Sequence, residues 1–196
     1  MRRVWIDWLV VVAFAAAAVL FFWPSLIGGQ VLLPLDNLWI MPPWLGPPGA
    51  VPHNKLIGDM ILENYPWKLI LDQAFRQREL PLWNPYEMVG LPYLATGQTS
   101  VLYPFTLLFL LLGPLRAYGW YSALHQLLAA SLTYLLLRRL GAGRFGAIVA
   151  GITFAFGFFL TVSYIWPMVL GAAVWLPLAL WSLAGLAQKI GKGNLG

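Results

Sequence analysis

Residues 145–187 read FGAIVAGITFAFGFFLTVSYIWPMVLGAAVWLPLALWSLAGLA and hold no charged side chain over 43 positions. A helix needs about 20 apolar residues to cross a bilayer core about 30 Å thick. This run therefore fits two spans, with a turn expected between Gly157 and Pro167. It is bordered by Arg138, Arg139 and Arg144 before it and by Lys189 and Lys192 after it. Two further uncharged runs lie at 8–27 and 118–137, the first preceded by Arg2 and Arg3. The chain of 196 residues is 60% hydrophobic and 10% charged, whereas a soluble domain carries roughly 25% charge. A short chain cannot hide that much apolar surface in one core. The expected class is an all-α integral membrane protein with about four transmembrane helices.

The same composition excludes a disordered chain, which needs low hydrophobicity and high net charge. With no cysteine, disulfides, thiolate metal sites and cysteine nucleophiles are excluded. The net charge of +5 does not point to nucleic acid, because the cations sit where positive-inside topology puts them. Four spans place all three basic clusters in the cytoplasm, with net +6 inside and net −1 outside. A fifth span at 101–112, only twelve residues long, would move the Arg138–Arg144 cluster outside. The run 8–27 ends in Phe21-Phe22-Trp23-Pro24 rather than in small residues, which reads as an uncleaved anchor. The organisation expected is thus 1–27, amino terminus and first span; 28–117, an extracytoplasmic loop with an amphipathic helix and a short re-entrant or interfacial segment; and 118–196, three further spans and a cytoplasmic tail. Both termini fall in the cytoplasm.

The stretch 28–100 carries six of the seven acids and four tryptophans, and a loop of that length is seldom a mere connector. Within it, Trp67, Ile70, Leu71, Ala74 and Phe75 recur at helical spacing after Asn64 and Pro66. This predicts an amphipathic helix lying along the membrane surface, with Lys68, Asp72, Gln73, Arg76 and Gln77 on its polar face. Asp59 and Glu63 stand four residues apart and share a face on a helical turn. Paired carboxylates can split into a base and a proton donor, or jointly hold a divalent cation; composition alone favours the plainer reading, with Asp59 a helix cap and Glu63 a solvated residue. Asp36 can reach the same mouth or simply form a turn. Trp83, Tyr86 and Tyr93 suit a stacking surface for a sugar ring, or an aromatic belt at headgroup level. His53 reads as a surface residue, and His125 as a histidine bonded between helices.

Taken together, Gly58-Asp59, Glu63, Tyr65-Pro66-Trp67, Leu80-Pro81-Leu82-Trp83-Asn84-Pro85-Tyr86, Gly90-Leu91-Pro92, Ala95, Gln98 and Tyr103-Pro104 form a specific pattern. On these residues the chain resembles the YfhO family of bacterial membrane proteins, polytopic relatives of the GT-C glycosyltransferases. Weaker similarity runs through Arg138-Arg139-Leu140-Gly141 and Phe156-Gly157-Phe158 to Trp175-Leu176-Pro177. The resemblance implies transfer of a sugar from a polyprenyl-phosphate donor to a cell-envelope acceptor at the bacterial plasma membrane. It implies Asp59 as the catalytic carboxylate with Asp36 second, and Glu63, Trp83, Asn84, Tyr86 and Gln98 as substrate-binding residues. Lys55, Lys68 or Arg76 would face the donor phosphate. Arg78 stands where the family has a glycine. Family members have more spans, so the chain corresponds to an amino-terminal portion whose activity calls for a missing carboxy-terminal portion or a partner chain. The competing reading is a non-enzymatic polytopic protein that binds or presents a lipid-linked substrate, or a subunit of a membrane assembly. A transporter finds support only in His125 and the 101–112 segment.

Overall fold

The computed structural model describes residues 4–193. Arg2 and Arg3 of the expected cytoplasmic amino terminus, and the end Asn194–Gly196, lie outside the described residues. The chain is mostly helical. Its described parts form two compact units, one drawn from Met1–Phe22, Ser122–Tyr164 and Val169–Gly196, the other from Trp23–Tyr121 and Ile165–Met168.

Helix α1, Val4–Phe21, is apolar on every side beyond Asp7 in its first turn, the pattern of a helix surrounded by apolar neighbours. It stops earlier than the uncharged run does. Phe22 leaves the helix and α2, Trp23–Leu26, is a single turn around Pro24, whose ring has no N–H and crowds the preceding turn. Helix α3, Tyr65–Arg76, carries Pro66 in its first turn, where a missing N–H costs nothing. The 101–112 segment is helical only over α4, Leu107–Leu112, after a 3-10 turn at Pro104–Thr106, and Gly113 ends it at φ 77°. Helix α5, Pro114–Arg139, supplies its first turns to the loop unit and the remainder to the other. Helix α6, Arg144–Phe156, breaks at Gly157 into α7, Phe158–Val162. Helices α8, Pro167–Ala173, and α9, Leu176–Gly193, complete the chain.

Two stretches, Arg144–Ile165 and Pro167–Ile190, are long and apolar enough to cross a membrane; the apolar helix Trp5–Phe21 is shorter. The turn between the two falls at Trp166, inside the expected window. Helix α5 has the length to span, about 39 Å at 1.5 Å per residue, but His125, Gln126 and three tyrosines make it less apolar. Those polar groups are turned inward: His125 and Gln126 are fully buried, and Gln126 Nε2 donates to the Ala155 carbonyl at 2.6 Å. In the same unit Asp7 accepts from the Tyr134 hydroxyl and from Arg144 Nε at 3.1 Å. Gly151 lets α6 approach α5, since a Cβ there would lie 2.8 Å from the Ala130 carbonyl oxygen.

Two helices end alike. After α5, the Ala142 and Gly141 amides return to the Leu137 and Arg138 carbonyls, with Gly141 at φ 93°. After α3, the Glu79 and Arg78 amides return to Ala74 and Phe75, with Arg78 at φ 59°. This closure wants a left-handed residue, normally glycine. Arg78 occupies it with a side chain, which costs roughly 1–2 kcal/mol. Arg78→Gly is therefore expected to stabilise the protein by about 1 kcal/mol and Gly141→Ala to destabilise it by a similar amount. Thermal melts in detergent micelles check both; a destabilised Arg78→Gly would contradict the assignment.

Candidate functional site

The site grows from two adjacent residues of α3. Trp67 and Lys68 are both buried. The Trp67 indole donates to Glu87 Oε1 at 2.6 Å, and the Trp67 carbonyl accepts the Tyr93 hydroxyl. Lys68 Nζ donates to the Thr99 carbonyl at 2.6 Å and stands 5.1 Å from the centre of the Phe109 ring. One helical turn thus grips residues 87, 93 and 99 of the segment that follows. Trp67, Leu71 and Tyr93 form the apolar centre of this grip, packed by Ile70, Val101, Leu110 and Met168.

The gripped segment contains strands β1, Trp83–Asn84, and β2, Leu91–Pro92, paired antiparallel with Asn84 opposite Leu91. Successive strand side chains point to opposite faces, so Trp83 is exposed while Asn84 is 2% exposed. Asn84 Oδ1 accepts from the Tyr86 amide at 3.0 Å. That bond fixes the amide's orientation. Thr99 Oγ1 donates to the Tyr93 and Thr96 carbonyls at 3.1 and 2.9 Å. Between these residues lies a cavity of about 190 Å³, walled by Glu63, Glu87, Asn84, Gln98, Thr96 and Thr99 with the Trp67 and Tyr93 rings and Leu91.

Glu63 belongs to a widened, π-type turn, Met60–Asn64, directly before α3; such turns concentrate at functional sites. Asn64 stands at the N-cap position of α3 but its side chain makes no cap bond. It lies within the continuous helical turn, and its Nδ2 donates to the Asp59 carbonyl at 3.4 Å. The Glu63 carboxylate has no hydrogen-bond partner among the described residues. The residue is exposed; partial withdrawal from water, and then the neighbouring charges of Asp59 and Glu87, push its pKa up. Burial of the Lys68 ammonium brings its pKa down to about 8.

Of the expected substrate residues, Glu63, Asn84 and Gln98 converge on this cavity. Trp83 and Tyr86 do not; they line a separate hollow of about 330 Å³ against Gln73 and Gln77 of α3. Asp59 is outside the cavity wall, and its Oδ2 accepts from the Trp166 indole at 3.1 Å. It is no helix cap. Asp36 Oδ2 takes both the backbone N–H and Nδ1 of His53, at 2.7 and 3.0 Å. The His53 amide, then its ring, holds the Asp36 carboxyl below the usual range. Of the three cations expected to meet a phosphate, Arg76 is paired with Asp72 at 2.7 Å, Lys68 is buried, and Lys55 is exposed. Lys68 thus leaves the polar face assigned to it. Among the described residues no three histidine or carboxylate groups meet to hold a metal ion. Asp59 and Glu87 each give one oxygen to an indole.

Sequence reading did not single out Glu87, Thr96 or Thr99. Glu87 was legible only as one acid among six, although its place three residues after Asn84 is where a tight turn would return it to the same wall. Lys68 was misplaced because it stands beside Leu71 and Asn64 on the helix surface, at the border of the apolar stripe.

Glu63 binds its proton more tightly when folded than when unfolded. Its contribution to stability is present at low pH and is lost as pH rises through the raised value. Glu63→Gln keeps the neutral form throughout, so it is expected to melt above the unaltered protein at about pH 8, the gap closing toward about pH 4. A lower melting temperature at about pH 8 would contradict this. Lys68 has the opposite sign. The unfolded ammonium keeps its proton to higher pH than the folded one, so stability should climb as pH rises from about 8 toward 10. That climb is expected to vanish in Lys68→Met.

No protein-family model, curated protein or solved structure matches the chain.

Proposed function

We propose that this chain is a GT-C-like glycosyltransferase of the bacterial plasma membrane, or a portion of one, related to the YfhO family. It transfers a sugar from a polyprenyl-phosphate donor to a cell-envelope acceptor. In this reading it crosses the membrane four times through α1, α5 and the two stretches Arg144–Ile165 and Pro167–Ile190. Both ends are cytoplasmic and the loop unit is outside. The single observation that carries the reading is the convergence of a partnerless carboxylate with raised pKa, two carboxamides and two aromatic rings on one cavity. These are the groups that recognise sugar hydroxyls and move a proton.

Glu63 is the base in this account. It takes the proton of the acceptor hydroxyl while that oxygen bonds to the anomeric carbon. The bond from the anomeric carbon to the donor phosphate breaks, and polyprenyl phosphate leaves with the electron pair. A base works best with its pKa near the working pH, and Asp59 contributes to that by raising the Glu63 value. Asp59 therefore acts as a positioning and charge-setting residue rather than as the base. The alternative, a protein that binds or presents the lipid-linked substrate without reacting, draws on the engagement of both Asp36 and Asp59 in hydrogen bonds.

Transfer of labelled sugar by the full-length natural protein in membranes decides between them. Glu63→Gln is expected to lower the rate by about a hundredfold or more. Asp59→Asn should cost less and shift the acid limb of the rate profile to lower pH. A larger loss in Asp59→Asn than in Glu63→Gln would make Asp59 the base. Unchanged function in both, and in the Asp36/Asp59 double variant, would support the binding protein.

A further inference from the structure

The cavity at Glu63 is not isolated. Asn84 and Glu87 also wall a second hollow of about 330 Å³. That hollow in turn shares Gln73 and Tyr86 with the one beneath Trp83. The three lie in series between α3 and the segment that α3 grips. Their lining includes Glu63, Glu87 and Glu79 and no lysine or arginine. Arg76 and Arg78 line the next hollow, beyond Glu79 and Leu80. A polyanion would meet three carboxylates here and no compensating cation.

Two features prepare the series for a neutral polar ligand. At one end Asn84 is 2% exposed and borders two of the hollows, with its Oδ1 fixed by the Tyr86 amide. With Oδ1 so engaged, the amide presents its Nδ2 donor to a ligand hydroxyl. At the other end the Trp83 indole lies directly on Gly90, where a Cβ would come within 2.5 Å of Nε1. The glycine fixes the ring in place while leaving it 54% exposed. A rigid aromatic plate facing the Gln73 and Gln77 side chains offers stacking and hydrogen bonding together.

We infer that this groove binds an extended, uncharged polyhydroxylated chain, with its end at Glu63 and Asn84 and a more distant unit stacked on Trp83. The inference deepens the transferase reading, on which it rests only for naming that chain the acceptor; binding can be measured without turnover.

The test is calorimetric titration of the full chain in detergent micelles. The probes are malto-, cello-, chito- and manno-oligosaccharides of one to six units, with heparin and chondroitin sulfate hexasaccharides as polyanions. At least one neutral series is expected to bind at least tenfold more tightly at six units than at one, and at least tenfold more tightly than either sulfated hexasaccharide. Trp83→Ala should remove the gain with length, Trp83→Phe should keep most of it, and Asn84→Ala should weaken every length. Affinity that is flat with length, stronger for the sulfated chains, or absent from all series would overturn the inference. Preference for the sulfated chains with sugar transfer intact would sink the inference alone, whereas loss of transfer dependence on Glu63 would sink the transferase reading alone.

Discussion

Lys68 is a cation that water does not reach, and the loop unit is arranged around it. Its ammonium meets a carbonyl oxygen and an aromatic face rather than a carboxylate. Such an arrangement persists only when surrounding packing enforces it, because a buried charge is costly without a partner. Trp67 supplies that packing one residue earlier, holding Glu87 by its indole and Tyr93 by its carbonyl. Together the two residues bring positions far apart in sequence onto one turn of helix. The cavity exists because the 83–99 segment is held at three points and arches between them.

This arrangement divides the carboxylates by task. Asp36 gives one oxygen to the amide and ring of His53, and Asp59 gives one to Trp166. Glu87 gives one to Trp67. Glu63 alone of the four has no partner, and it lies where the charges of Asp59 and Glu87 make losing its proton harder. Placing the reactive role on Glu63 follows from that contrast in environment, since similar groups with pKa values pushed apart mark acid and base assignments.

Much of the architecture was legible in the sequence, for reasons that can be named. Uncharged length reports apolar helices directly, so Arg144–Ile165 and Pro167–Ile190 emerge from the 145–187 run with their turn in the expected place. The 3.6-residue period of Trp67, Leu71 and Ala74 reports α3. The site was legible only by halves. Glu63, Asn84 and Gln98 do meet, but Trp83 lines another hollow, because adjacent strand residues point to opposite faces, and Tyr86 follows beyond the strand. Lys68 escaped because a charged residue at the edge of an apolar stripe reads as solvated until the partner segment is known. Trp166 as the partner of Asp59 joins residues 107 positions apart, which no local pattern can disclose. The break at Phe22 was written in Pro24, but an uncharged run conceals where within it a helix stops.

The most direct test of a partnerless, proton-hungry carboxylate in this cavity is the titration of Glu63 itself. The chain has three glutamates, Glu63, Glu79 and Glu87, so labelling the glutamate side-chain carboxyl carbons yields three resonances to follow by NMR with pH. The resonance that Glu63→Gln removes should titrate above the ordinary glutamate range and move back toward it in Asp59→Asn. A Glu63 resonance that titrates at or below the ordinary range, unmoved by Asp59→Asn, would contradict the account.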